Sequence, residues 1–156
     1  MTAGAQEKFP GKFFDYGGAV YNVQHLDFGA TGNGVTDDTT AINLALAISG
    51  AKTVFIPEGI YLITAVLSVP SNTKVILDRN AIMKRNFLDR TVAGGTFTNS
   101  DPSGGNTNIH IEGGQFDVQS SSGTDGGHIT FQNVARVVIK DIHTTGTLFY
   151  LTAPML

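Results

Sequence analysis

The sequence predicts an all-β solenoid, a chain wound into stacked coils of short strands, and three observations carry that prediction. Val, Ile and Thr supply 42 of the 156 residues, against 10 Leu and 13 Ala, so residues that suit a pleated strand outnumber the strong helix formers. Glycine occupies 19 positions, enough to turn the chain often. Short alternating apolar runs also recur about every 30 residues, which stacked coils need if each is to lay its inward residues on those below. Hydrophobic residues at 41% supply a core. The length is a soft prior for one domain. A helical bundle, a coiled coil and a disordered chain are poor matches to this composition.

Residues 1–19 form an arm. Phe9, Phe13, Phe14 and Tyr16 cluster around Pro10 without strand or helix periodicity, so the arm is expected to pack on its own domain, on another copy or on a larger assembly. One helix is expected after Gly32-Asn33-Gly34, from a start near Asp37 to about Ser49. Thr36 or Asp37 is the candidate N-cap, Ala41, Ile42, Ala45, Leu46 and Ile48 are the apolar face, and Gly50 is the stop. With no charge between Thr39 and Ala51, that helix needs a broad apolar surface to lie on.

Ten short β-type runs follow: 53–56, 60–63, 66–69, 74–77, 81–84, 109–111, 115–118, 128–131, 136–139 and 148–151. An offset of 34 places Val75 over Ile109, Leu77 over Ile111 and Ile82 over Phe116, and an offset of 28 places Ile109 over Val137. A two-sheet sandwich is the competing arrangement, but only Asn33-Gly34 resembles a two-residue hairpin turn. Residues 86–108 read as a long excursion between coils, and 119–127 as a second polar stretch leaving the same face.

The net charge of -3, from 10 Lys+Arg and 13 Asp+Glu, and the lack of a basic cluster argue against nucleic acid and anionic membrane as partners. No apolar run reaches the roughly 18 residues that span a bilayer, and the start lacks the apolar centre of a secretory signal. With no cysteine there is no disulfide framework and no thiolate chemistry. No two histidines share metal-ligand spacing with an acid, so neither a metal nor another cofactor is expected.

The run Asp27-Phe28-Gly29-Ala30-Thr31-Gly32-Asn33-Gly34-Val35-Thr36-Asp37-Asp38-Thr39 resembles the opening motif of the pectate-lyase-like superfamily of right-handed parallel β-helices. Pro57-Glu58-Gly59-Ile60-Tyr61 resembles that family's second hallmark, and Asn108-Ile109-His110-Ile111-Glu112-Gly113-Gly114-Gln115-Phe116-Asp117 is similar to its polygalacturonase-like branch. The resemblance covers about Ala19 to Gly146. It implies a right-handed single-stranded parallel β-helix whose helix caps the open N-terminal end, with an extended arm before it. It is strongest toward bacteriophage tail spikes and appendages, proteins that are typically trimers binding, and often cleaving, polysaccharide on the host surface.

The branch implies hydrolysis by carboxylates flanking a glycosidic bond, carried by Asn-x-Asp and Asp-Asp motifs followed by Gly-His and Arg-x-Lys. Asp37-Asp38 is the one adjacent acidic pair, and helix capping accounts for it. Gly127-His128 and the stretch Arg136 to Lys140 have the wrong order or spacing and read as strand. Asp117 and Asp141 are the remaining catalytic candidates, with turn capping the expected role of Asp117. His110, flanked by Ile109 and Ile111, is expected to point outward into solvent. The lyase route needs a cluster of acidic calcium ligands, and the sequence supplies none locally.

Residues 20–156 are therefore expected to hold the cap and three or four coils, incomplete at the C-terminus, of a phage tail spike or appendage. The expected partners are further copies in a homotrimer, phage tail or baseplate proteins, and bacterial surface polysaccharide, and the expected location is the virion. A polygalacturonase-like glycosidase or lyase fragment, located extracellularly, and a non-catalytic carbohydrate-binding β-helix are the alternatives. Whether the chain is an enzyme is left open.

Overall fold

The computed structural model describes residues 18–87, 94–118, 127–145 and 150–152. The arm with Phe9, Phe13, Phe14 and Tyr16 lies outside the described residues, as do parts of both polar excursions. The described chain runs β1 (Ala19–Asn22), β2 (Asn33–Asp37), α1 (Thr39–Ala47), β3 (Lys52–Ile56), β4 (Gly59–Ile63), β5 (Leu67–Val69), β6 (Thr73–Leu77) and β7 (Ala81–Arg85). It continues as β8 (Phe97–Asn99), β9 (Asn106–Glu112), β10 (Gln115–Val118), β11 (Ile129–Gln132), β12 (Val134–Lys140), β13 (His143–Thr145) and β14 (Tyr150–Thr152).

The strands form three sheets: A (β1-β3-β6-β9-β12), B (β2-β4-β7-β10-β13) and C (β5-β8-β11-β14). Every pairing is parallel. From β3 onward the chain visits A, B and C in turn, the path of a parallel β-helix. The alternation read from the sequence is the cause, because inward residues stack in rows. Val54, Val75, Ile111 and Ile139 align on sheet A, Tyr61, Met83 and Phe116 on sheet B, and Leu67, Phe97 and Ile129 on sheet C. All but Ile139 are fully buried, and each contributes on the order of 1.5–3 kcal/mol. Phe97 and Phe116 meet edge to face at 5.9 Å across the interior.

The first circuit differs. Where later circuits place a sheet-C strand, α1 stands between β2 and β3 and packs on β5. Thr39, Ala41, Ile42, Ala45 and Leu46 are its buried face, whereas Ile48, expected on that face, is the C-cap residue beyond the helix and only half-buried. Asn43 links helix to sheet: its Nδ2 donates to the Val66 carbonyl at 3.1 Å, and its Oδ1 accepts from the Ser68 amide at 2.9 Å. One side-chain amide thus meets the two backbone groups on the edge of β5 that a neighbouring strand would otherwise pair. The helix ends at Ala47, short of Ser49, and Gly50 at φ 85° turns the chain away.

Three expectations are corrected. The N-cap position is Asp38, whose carboxylate faces away from the helix, while Asp37 Oδ1 accepts the Thr39 amide at 3.0 Å from one residue earlier. The excursion 86–108 contains β8, a three-residue strand that ordered pairing with β5 and β11 creates despite weak local signal. The offset of 34 is also not the register. Val75 lies beside Ile111, two positions on, and Met83 rather than Ile82 lies beside Phe116. The slip is even on sheet A, so the inward face survives it; on sheet B it is odd and exchanges the faces. The Gly113-Gly114 corner sets this shift: a Cβ on Gly113, at φ 83°, would lie 2.2 Å from the Leu77 carbonyl oxygen.

Just before the inward residues Thr73, Ile109 and Val137, the residues Asn72, Asn108 and Arg136 all take left-handed backbone at φ 58°, 57° and 61°. Asn108 Nδ2 donates to Asn72 Oδ1 at 2.7 Å, one rung of a ladder. Asparagine tolerates this conformation, whereas arginine does so at a cost of about 1 kcal/mol. Replacing Arg136 by Asn is therefore expected to raise the urea midpoint, with a gain of about 0.5–1 kcal/mol. Asn43→Ala, which leaves two edge groups of β5 unpaired, is expected to lower stability by about 2 kcal/mol in the same measurement.

Candidate functional site

The opening motif folds into an anchor built from its own polar groups. Asp38 is buried, and its carboxylate accepts the Thr31 amide at 2.6 Å, the Thr31 hydroxyl at 3.1 Å and the Gly32 amide at 3.1 Å. Asp37 accepts from Thr39 and, at 2.6 Å, from the Thr64 hydroxyl. Burial works against the charge of Asp37, but these hydrogen bonds outweigh it and hold the carboxyl below its ordinary range. Gly32 and Gly59 meet backbone to backbone: a Cβ on Gly59 would lie 3.0 Å from the Gly32 carbonyl oxygen. Tyr61 closes the anchor, its hydroxyl donating to the Pro57 carbonyl at 2.9 Å and accepting from Gln24 Nε2 at 3.0 Å. Burial, with Asp38 and Asp78 nearby, raises the Tyr61 pKa. Ala30 is buried and bonds Val23, Gly29 bonds the His25 carbonyl, and the Gly34 carbonyl lies 3.5 Å from Lys84 Nζ. Asp27 is exposed beside His25 at 3.2 Å.

Two charged clusters lie beyond the motif. On the outward rows of sheet A, Glu112 is held by Lys140 Nζ at 3.1 Å, His110 Nε2 at 3.1 Å and Lys74 Nζ at 3.4 Å. Burial opposes the charge of Glu112, yet Lys140 and Lys74 pull its pKa below the usual value. His110 does point outward, opposite Lys74 and Val138, but it is only 2% exposed and is not a solvated surface histidine. Burial first, then the two lysines, lower its pKa, against the pull of Glu112.

The second cluster sits where the chain passes from sheet B to sheet C, the corner from which both polar excursions leave. Arg85, at the end of β7, is buried on the inward row with its guanidinium 4.3 Å from the Phe87 ring centre. His128, fully buried ahead of β11, packs edge to face on Phe116 at 5.4 Å, and among the described residues neither ring nitrogen has a hydrogen-bond partner. Burial lowers its pKa to about 4, with Arg85 adding to the shift and Asp117 opposing it. Nothing in the sequence marked Arg85 or Lys52 as inward; only the register shows it.

Residues 20–86 match the family model described as "Rhamnogalacturonase A/epimerase, pectate lyase-like". Over these residues the chain is similar to that family. Among curated proteins, the chain is 41% identical over 68 residues to the "Non-secreted LysM effector LysM19" of Penicillium expansum, covering 42% of this chain and 5% of that protein. It is 28% identical over 134 residues to the pre-neck appendage proteins of Bacillus phages PZA and phi29, covering 78% of this chain and 15% of theirs. The chain thus spans a small part of each relative. Among solved structures, the Streptococcus pneumoniae surface adhesin PfbA superposes with a TM-score of 0.64 at 24% identity over 80% of this chain and 35% of that one. A family 28 exopolygalacturonase of Yersinia enterocolitica gives 0.53 at 26% identity over 68% and 22%. These neighbours are parallel β-helix proteins, and the fold is theirs.

The structure separates the two catalytic candidates. Asp117 lies within β10, paired with Lys84 and Thr145, rather than in the capping turn expected of it, and close enough to His128 to affect its titration. Asp141 is exposed in the turn after β12, at φ 55°. Among the described residues no group of three or more His, Cys, Asp or Glu is placed to hold a metal ion.

The buried His128 has a consequence for pH. An unfolded histidine titrates near 6.5, so the unfolded chain takes up the proton first, and stability present above that pH is lost as pH falls toward the folded value of about 4. Between pH 7 and pH 5 the loss is expected to be about 2 kcal/mol. Urea unfolding at both pH values should show it, and His128→Phe should reduce that difference to the share His110 contributes.

Proposed function

We propose that the protein is a β-helix segment of a phage tail-associated appendage, carried on the virion, that takes part in binding polysaccharide on the host cell surface. The observation that carries this reading is the likeness to the pre-neck appendage proteins over 134 residues, which continues well past the pectate-lyase-like residues 20–86. In this reading α1 caps the N-terminal end of the solenoid, where the first coil would otherwise expose its core. The winding is right-handed, as about 98% of parallel crossovers are. The arm 1–19, with Phe9, Phe13, Phe14 and Tyr16, is an attachment or trimer contact, and the assembled form is a homotrimer.

A second reading, a segment of a polygalacturonase-like glycosidase, is favoured by the exopolygalacturonase likeness and by the wording of the family match. Asp117 and Asp141 are its candidate acids.

Peptide mass spectrometry of purified phage particles from the organism that encodes the chain is expected to find this chain in the virion, and sedimentation of the purified protein is expected to give a trimer. Particles lacking the chain would overturn the appendage reading. Release of reducing ends from bacterial capsule by the purified chain, lost in Asp117→Asn or Asp141→Asn, would favour the glycosidase instead.

A further inference from the structure

A groove of about 430 Å³ lies between the C-terminal end of α1 and the corner that leads from sheet C back to sheet A. That volume falls in the range of small-molecule sites, roughly 300–1,000 Å³. Ala47, Ile48 and Pro70 give it a carbon surface, and Ser49, Ser68, Ser71 and Ser100 border that surface with hydroxyls. Ser71 and Ser100 already use their oxygens to accept Asn106 Nδ2, at 3.2 and 3.1 Å, which leaves each O–H proton to donate elsewhere.

Lys52 also borders the groove. It lies on the inward row of β3, in register with Thr73, and is 1% exposed. Its ammonium has a long contact of 3.5 Å to the Gly50 carbonyl, and among the described residues no carboxylate forms an ion pair with it. Burial lowers its pKa. A buried ammonium without an anion is costly, and the carbonyl end of α1 offsets only part of that cost.

We propose that this groove is a subsite for a saccharide unit bearing an acidic group, carboxylate or phosphate. The sugar's C–H face lies on Ala47, Ile48 and Pro70, its oxygens accept from the serines, and Lys52 supplies the positive charge. The inference rests on the groove's own chemistry. It stands apart from the virion reading, which holds equally if the glycan binds elsewhere.

The test is a titration of the full ¹⁵N-labelled chain, followed by amide shifts, with glucuronic acid, glucose 6-phosphate, glucose, acetate and inorganic phosphate. Saturable shifts at Ser49, Ser68 and Ser71 are expected with one or both acidic sugars, and which of them responds identifies the acidic group. Glucose and the two bare anions should bind at least tenfold more weakly. Lys52→Met should bring acidic sugars down to the level of glucose. Ala47→Phe, on the exposed side of the helix end, should fill the groove and abolish binding, and it decides the question if Lys52→Met does not fold. Glucose or a bare anion binding as well as the acidic sugars would overturn the proposal. So would the absence of saturable shifts at tens of millimolar, or full binding by Ala47→Phe.

Discussion

A stack of parallel coils exposes at its first turn a row of unpaired peptide groups and the end of an apolar core, and everything above that turn depends on closing both. At that turn α1 packs on β5. The apolar face of α1 covers the core through Ile42, Ala45 and Leu46. Asn43, on the same helix, gives the edge of β5 the donor and acceptor that a strand would give. The backbone groups within a helix pair with one another and not with a neighbouring strand, and the Asn43 amide, with both a donor and an acceptor, supplies that pairing to the edge.

The two adjacent acids before the helix divide the work of holding it there. Asp37 ties the helix start to Thr64, beyond the end of β4, and Asp38 ties it to the Thr31–Gly32 loop. That loop in turn touches Gly59 and Tyr61. A pair of carboxylates that resembles catalytic equipment by spacing alone is thus occupied by backbone and hydroxyl donors, with six hydrogen bonds between them. The motif is a brace between the first two circuits.

What was legible in the sequence was whatever short-range alternation decides. The inward rows through Val54, Val75 and Ile111, and the buried face of α1, follow from period 2 and period 3.6 alone. What was not legible depends on corner length. Each circuit passes three corners, and a corner longer by one residue reverses which side chains face inward on the next sheet; this is why Met83, not Ile82, stacks on Phe116. β8 escaped notice because three residues in a stretch rich in Gly, Ser and Asn have little propensity of their own and take their geometry from β5 and β11. The inward charges of Lys52 and Arg85 were invisible for a related reason: each sits at the margin of its strand, where an aliphatic stem can lie on the core while the charged group lies at a corner.

The same placement bears on what chemistry these coils can do. Acid-assisted cleavage of a glycosidic bond needs two carboxyl groups facing one another across the sugar, about 5–9.5 Å apart. The three strands of sheet C from β5 to β11 carry Ser68, Thr98, Asn99, Thr130 and Gln132 and no carboxylate. Glu112 is on sheet A, bound by two lysines and a histidine. Asp117 is on sheet B, and Asp141 is at the corner between A and B. Among the described residues, Glu58, Asp78 and Asp141 follow strands of sheet A at the corner leading to sheet B, whereas Asp117 lies within a sheet-B strand, and a rigid coil moves a side chain from one face to another only by a change of register. The hydroxyl and amide groups of sheet C are largely taken up by the coils themselves: Thr98, Asn99 and Thr130 are buried, and Asn99 bonds Asn106 and both backbone groups of Gln132.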